Sequence, residues 1–564
     1  MTRPGGRGAD GRAGGQADRR ASVVARLHQP SSARPPVRSS AAGGALATAL
    51  LAVAIAAAGP GVAAAQRPVE RVVIERRSVF DSAEAAQEWW RRLVNGTHFI
   101  TKTRVIRREV LLRPGQPFDS ARAAESARNL RGLGIFRRAL VDTLTGDSGV
   151  IVRVRTDDGF AHRARVEFGS VGAQTTYNLG YTNVNFLGWD GLVSLNYRRN
   201  PDRAIWSGTW SQPRLVLDRV GFRVNWQDRS DGRVLSANVS QPFFAYQSRS
   251  AAGVSALDFD GDVLRFRDGN PAASSVLRRR YALVSGEVAL ALRATPREFV
   301  RVGLVGQWRR DDFVPAAAVP ALFPRSVTGA LGGYVSWSRA RFAVQYNVES
   351  SFREEDLDLS TSARLGVWAA PAAFGYARDG AGVDVRLRHG VALPGGAVIA
   401  GVNANGLVDA AGLDSGRVRA FATAILKPFG RAHTLVLHAQ GGLIRNPLPG
   451  DEFDLGLGFG PRAFPLHAFT GDRLYFLTGE YRYLVAEDLY GLVGLGGALF
   501  VDHGGAWWSD GPGARQGTNA GLGLRVGPSR LTTGTLGRID LSYRFRNDRL
   551  PGGFVVSVGQ GFAF

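Results

Sequence analysis

From about Phe160 to the end of the chain, apolar and polar residues alternate in short runs separated by Gly, Asp, Asn and Pro. In Gly537–Phe545, Ile539, Leu541, Tyr543 and Phe545 share one parity, and Arg538, Asp540, Ser542 and Arg544 share the other. In Phe299–Arg310, Val300, Val302, Leu304 and Trp308 alternate with Arg301, Gly303, Gln307 and Arg309. In Gly553–Phe564, Phe554, Val556, Val558, Phe562 and Phe564 oppose Ser557, Gly559, Gly561 and Ala563. A two-residue period puts the two sets on opposite faces of a strand. Runs of about ten residues repeated in this way predict an antiparallel transmembrane β-barrel, apolar outside and polar inside. The pattern offers up to twenty strands. They run from 162–171 and 175–184, through 327–338, 340–352 and 381–391, to 534–545 and 553–564.

Before the barrel, about 67–158, the periodicity is mixed. Val69–Val79 is rich in β-branched residues and predicts a strand. Asp81–Val94, Thr101–Leu111 and Ala121–Leu130 predict helices. Val105, Ile106 and Val110 lie on one side of the second, and Asp119 or Ser120 caps the third. Pro114-Gly115 marks a turn, and Gly132 and Gly134 end the last helix. Phe136–Thr143 and Gly149–Arg155 predict a hairpin. The expected unit is a small α+β domain, with Leu130 and Phe136 in its core and Gly115 and Gly134 at its turns.

The first 65 residues have no fold signature. Met1–Ser40 is rich in Arg, Gly, Ala, Ser and Pro. The uncharged run Ala45–Ala58 follows Arg34 and Arg38 and breaks at Gly59-Pro60-Gly61, ahead of Ala63-Ala64-Ala65. This is the pattern of a signal peptide with a long disordered n-region, cleaved after Ala65.

Composition narrows the chemistry. There are no cysteines among 564 residues, so disulfides, thiolate metal sites and a cysteine nucleophile are excluded. The net charge of +22 comes almost wholly from arginine, the only lysines being Lys102 and Lys427. The cations are spread along the chain rather than gathered in a patch, which argues against nucleic acid as a partner. The eight histidines show no metal-binding spacing, and no Gly-x-Ser-x-Gly elbow is present. Asp258, Asp260 and Asp262 hint at a calcium loop, but Val263 and Gly269 occupy positions that such a loop needs for Gly and Glu. They are read as a solvated loop. No cofactor, metal or catalytic residue is expected, and the chain is not expected to be an enzyme.

Two stretches carry a family resemblance. REVLLRPGQPFDSARAAESARNLRGLGIFRRALVDTL followed by GVIVRVRTDD resembles a polypeptide-transport-associated (POTRA) domain, with Gly115, Leu130, Gly134 and Phe136 matching its pattern. GFGPRAFPLHAFTGDRLYFLTGEYRYLV, continued by GLGGALFVDHGGAWW, resembles the long loop and following strands of the BamA/TamA superfamily of outer-membrane assembly proteins, the bacterial surface antigen family. TNVNFLGWDG and SQPFFAYQSR resemble its periplasmic turns. The family's loop tip is of Val-Arg-Gly-Phe type. Here it reads Pro461-Arg462-Ala463-Phe464, matching at Arg462 and Phe464 only.

The resemblance implies a single POTRA domain followed by a barrel of about sixteen strands, five of them after the long loop. It implies a loop-anchor cluster of Arg462, Phe464, Glu480 and Asp502. Parity points the same way, because Glu480 shares the polar face of its strand with Thr478 and Arg482, and Asp502 shares its own with Ala498 and Phe500. The implied location is the bacterial outer membrane, with the POTRA domain in the periplasm. The implied partners are the lipid bilayer and unfolded barrel or secreted clients, with periplasmic chaperones or an accessory protein. The implied work is assembly, insertion or translocation of clients through a weak seam between the first and last strands. The alternative is a barrel that serves as a pore or surface-binding protein, without insertase activity.

Overall fold

The computed structural model describes residues 67–171, 174–216, 219–267, 270–314, 326–348, 354–457, 459–490, 493–511, 513–528 and 536–560. The segment read as a signal peptide and the terminal Phe564 lie outside the described residues.

The chain begins with β1 (Val69–Arg77), α1 (Ser82–Gln87), α2 (Trp89–Thr97), α3 (Thr103–Glu109), α4 (Ser120–Gly132), β2 (Phe136–Thr145) and β3 (Val150–Asp158). The sheet order is β1-β3-β2, with β3 parallel to β1 and antiparallel to β2. The single helix expected over Asp81–Val94 is two. A capping box of Asp81 and Glu84 starts α1, and Glu88 then takes an extended conformation and re-aims the chain. Asp119 caps α4 by accepting from the amides of Ala121 and Arg122 at 2.8 and 3.3 Å. Ile106 and Leu130 are fully buried, with Val105, Phe136, Val152 and Val154 around them. Gly134 leaves α4 at φ 68°, in the left-handed region where a side chain is strained, and this delivers Phe136 to the underside of the sheet.

Twenty antiparallel strands between His162 and Gln560 then close into a barrel. The expectation of sixteen is therefore corrected. The twenty runs offered by the pattern also contain one error and one omission. Segment 340–352 supplies no wall strand among its described residues: Phe342–Tyr346 pairs with Glu354–Asp358 in a separate hairpin. The wall strand in that region is Thr361–Ala370, which lies between Ser326–Arg339 and Gly380–Leu393. Five wall strands follow the long loop: Arg473–Leu489, Val493–Trp507, Gly517–Pro528, Gly537–Arg544 and Gly553–Gln560.

The solvated loop expected over Asp258–Asp262 is likewise corrected. These residues belong to the strand Ser250–Arg267, where Arg278 of the next strand pairs with Asp260 and Asp262 at 2.8 and 3.3 Å.

The outer wall exposes Leu, Val and Trp side chains such as Leu179, Leu195, Trp210, Leu304, Leu387 and Leu499. An apolar band of this extent belongs in hydrocarbon, because water would charge a large free energy for wetting it. Among the described residues no helix is long and apolar enough to cross a membrane. Closure of the wall satisfies the backbone inside lipid, where an unpaired N–H or C=O has no water to bond.

The small domain sits at the end of the barrel where the first strand begins. Glu109 at the end of α3 receives Arg214 of the strand Ala204–Val216 at 2.6 Å. Arg131 of α4 grips Asp356 of the separate hairpin through two nitrogens, at 2.5 and 2.8 Å.

Candidate functional site: a loop folded into the barrel

Residues 446–472 join the strands His433–Arg445 and Arg473–Leu489. The segment folds inward because it carries its own core. Phe453–Leu455 pairs with Phe469–Gly471, and Phe453, Leu455, Phe464 and Phe469 pack against Phe476 and Ala506 of the wall. Gly456 is required at the turn, since a Cβ there would lie 2.0 Å from the carbonyl oxygen of Pro465. The Phe464 ring is fully buried and 5.1 Å from that of Phe469.

Arg462 lies at the inner end of this loop, 2% exposed. Its Nη1 is 2.8 Å from Glu480 Oε2 and 3.4 Å from Asp540 Oδ2. Its Nε and Nη2 donate to the two oxygens of Asp502 at 3.0 and 3.1 Å. The guanidinium also lies 3.7 Å over the Phe500 ring. Asp502 is saturated: it accepts further from Thr478 at 2.7 Å and from the Asn519 amide at 2.9 Å. Burial by itself disfavours the Arg462 charge, but Asp502, Glu480 and Asp540 outweigh it and hold the guanidinium above its ordinary pKa.

The wall supplies three more arginines. Arg482 and Arg525 reach Glu480 Oε1 at 2.8 and 3.1 Å, Arg525 also reaches Asp540 at 2.6 Å, and Arg538 lies 3.8 Å from Asp540. The loop is thus tied to four successive strands. The backbone adds to this, because Ala463 donates to Asn519 at 3.4 Å and its carbonyl accepts from Arg544 at 3.1 Å. Buried charges interlinked in this way act as an electrostatic clamp, and removing one partner leaves others uncompensated where they are buried.

The loop is pinned again further out. His467, left-handed at φ 60°, donates to Asp202 and Asp454 at 2.7 Å each and stacks on Phe266 with ring centroids 3.5 Å apart. Burial lowers its pKa, but the two carboxylates more than reverse this and raise it to about 9, so the imidazole is charged at neutral pH. The Leu466 amide donates to Gln174 at 2.9 Å. Leu457 packs on Ala463 and Val555 and also lies against Gly169. It therefore touches both the last strand and the first.

Those two strands form the seam. Gly553–Gln560 and His162–Val171 pair at only two positions among the described residues, Ser557 with Gly169 and Val558 with Phe168. Elsewhere the ladders are long: Arg473–Leu489 meets Val493–Trp507 from Arg473–Trp507 to Leu489–Val493.

The structure brings Arg462, Phe464, Glu480 and Asp502 together. Gly115, Leu130, Gly134 and Phe136 lie apart from them, in the core and turns of the small domain. Asp540, Arg482, Arg525 and Arg538 escaped the sequence reading as members of the cluster. Parity carried a usable signal: Arg538 and Asp540 share the inward face of their strand, and Arg482 shares the face of Glu480. His467 and Asp202, 265 residues apart, gave no such signal.

Fold and site together define a closed twenty-stranded outer-membrane barrel with an inward-folded, ion-clamped loop. No family model matches the chain, and no curated protein matches it. Solved structures similar to it include BamA from Haemophilus ducreyi lacking POTRA domains 1–3, at 14% identity, over 88% of this chain and 85% of that one, TM-score 0.37. CdiB from Escherichia coli is similar at 11% identity, over 88% and 77%, TM-score 0.43. The siderophore receptor PirA from Acinetobacter baumannii is similar at 9% identity, over 74% and 83%, TM-score 0.37.

Proposed function

We propose that this chain is a BamA/TamA-type barrel that assembles, inserts or translocates client polypeptides, and that its α+β unit works as a single periplasmic POTRA domain. The observation that carries this reading is the seam, two residue pairs among the described residues in a wall whose other ladders are much longer. An incompletely paired strand edge is a template for another strand. The N-terminal sheet offers further edges, because β1 and β2 are the outer strands of the order β1-β3-β2. The loop cluster holds the last strands to one another from inside, so the barrel keeps its shape while the seam parts. No covalent chemistry is needed: the work is strand exchange, and the free energy comes from the client's own folding.

The test is a disulfide across the seam, Phe168→Cys with Val558→Cys. These positions face each other on the outer wall, and the chain has no competing thiol. The oxidised protein is expected to remain a folded barrel and to lose client insertion, with activity restored by reductant. A locked barrel that handles clients normally would transfer the reading to a passive pore or surface-binding barrel.

A further inference from the structure

The small domain exposes large apolar side chains. Trp89 and Leu93, one helical turn apart on α2, are 68% and 59% exposed, and Phe99 and Ile100, just beyond its end, are 57% and 43% exposed. A solvated face normally carries few such groups, and a cluster of them marks a binding surface. Trp90, on the opposite side of α2, packs edge-on against Phe80 inside the domain. Trp89 and Leu93 are therefore not displaced core residues.

Phe99 and Ile100 are held outward by their neighbours. His98 and Thr101 on either side are both buried and turn inward onto one carboxylate. His98 Nε2 is 2.8 Å from Asp158, and Thr101 donates to it from its amide and hydroxyl at 2.7 and 2.9 Å. Two polar anchors on one aspartate push the apolar pair between them to the surface.

Their position identifies the partner. The Lys102 amide donates to the Gly188 carbonyl at 3.0 Å, and Lys102 Nζ lies 4.0 Å over the Trp189 ring. This seats the segment on the barrel turn between Gln174–Phe186 and Gly191–Arg199. The Thr97 carbonyl meets His162 at 3.3 Å, and His162 bonds the hydroxyl of Tyr181 on the outer wall at 2.5 Å. The apolar patch is therefore continuous with the lipid-facing wall at its rim, where Phe186, Leu187 and Trp189 are also exposed. Arg91, Arg92 and Lys102 flank it. Aromatic and aliphatic residues edged by cations form the composition of an interfacial membrane anchor.

We propose that α2 and the Phe99-Ile100 wedge insert into the periplasmic leaflet of the outer membrane and fix the small domain against the bilayer beside the first barrel strand. This rests on the reading of the chain as an outer-membrane barrel, and not on client insertion.

The absence of cysteine allows single labels in the full-length protein. The variants Leu93→Cys and Phe99→Cys, with Leu387→Cys as a lipid-wall reference and Asp147→Cys as an aqueous reference, carry a nitroxide in phosphatidylethanolamine/phosphatidylglycerol vesicles. Power saturation compares access to oxygen with access to a nickel chelate. Labels at positions 93 and 99 are expected to show an oxygen-to-nickel ratio several-fold above that at 147 and near that at 387. A ratio at 99 equal to that at 147, with 387 still lipid-like, overturns the proposal alone. An aqueous reading at 387 overturns the barrel reading, and the proposal with it. A signal at 99 that appears only at high protein density assigns the patch to a second copy and overturns the proposal. The double variant Trp89→Glu/Phe99→Glu supplies a second readout. It should keep a heat-modifiable barrel while trypsin cleaves the small domain at least fivefold faster in vesicles, and an unchanged rate overturns the proposal.

Discussion

The strands after the long loop and the two strands that close the barrel stand side by side and are held in opposite ways. From Arg473 to Arg544 each strand meets the next along an extended ladder, and Arg462 links their inner faces through Glu480, Asp502 and Asp540. At the seam, Gly553–Gln560 meets His162–Val171 at two positions among the described residues, and the loop residue Leu457 offers apolar contact. Directed, charge-assisted bonds resist separation until they break. A short ladder backed by an aliphatic side chain has little to lose. The contrast shows which parts of the described wall are held by directed charge and which by little more than a short ladder.

The largest expected effect is at the holding side. Arg462→Ala leaves three carboxylates facing the remaining arginines without the ion that bridges them, and should cost about 3–5 kcal/mol. Heat-modifiability on semi-native gels should show a lower unfolding temperature. A double-mutant cycle of Arg462→Ala with Asp502→Asn should give a coupling of at least about 1 kcal/mol, as expected for residues in one network. Strict additivity would mean that the clamp is not a unit. Phe464→Ala removes a fully buried ring and should cost a similar amount, about 3–5 kcal/mol, read by the same assay.

The outer pin is expected to be next in size, and it is pH-dependent. The pKa of His467 is raised from its ordinary 6.5 to about 9. Its contribution is therefore complete below about pH 6.5 and is lost as pH rises through about 9. Thermal unfolding followed from pH 6 to 10 should show a decline on the order of 2–3 kcal/mol across that window. His467→Gln should flatten it. An unchanged slope in that variant would assign the decline to other groups and leave the seam and clamp as the only contrast.

The smallest effect is expected where a charge pair faces water. Arg431 and Glu487 are 2.8 Å apart, but their side chains are 70% and 42% exposed. Arg431→Ala should change stability by less than about 1 kcal/mol, because solvent screens such pairs. A loss as large as that of Arg462→Ala would remove burial as the explanation for the clamp's strength.

Local rules made much of this legible. Alternation in Gly537–Phe545 and Phe299–Arg310 is a property of each strand alone, so inner and outer faces could be read without knowing the neighbours. The same is true of the Asp119 cap and the Gly134 turn. The strand count was less accessible. Segment 340–352 carries acceptable alternation yet leaves the wall, because strand propensity does not say which strand will be the partner. Thr361–Ala370 was missed because Ala363, Gly366, Ala369 and Ala370 blur its period.

Residue identity and spacing by themselves determined the barrel, the small α+β unit and the inward face of Glu480 and Asp502, and the resemblance at the loop tip pointed to Arg462 as their cation. Only the tertiary structure decided that Asp540, Arg482, Arg525 and Arg538 complete the cluster. It alone joined His467 to Asp202 across 265 residues and turned Phe99 and Ile100 outward over Asp158. The reason is the range of the interactions. Strand period, caps and turns are fixed within a few residues by backbone sterics, whereas pairing of distant charges depends on strand register and closure, which exist only once the whole wall has formed.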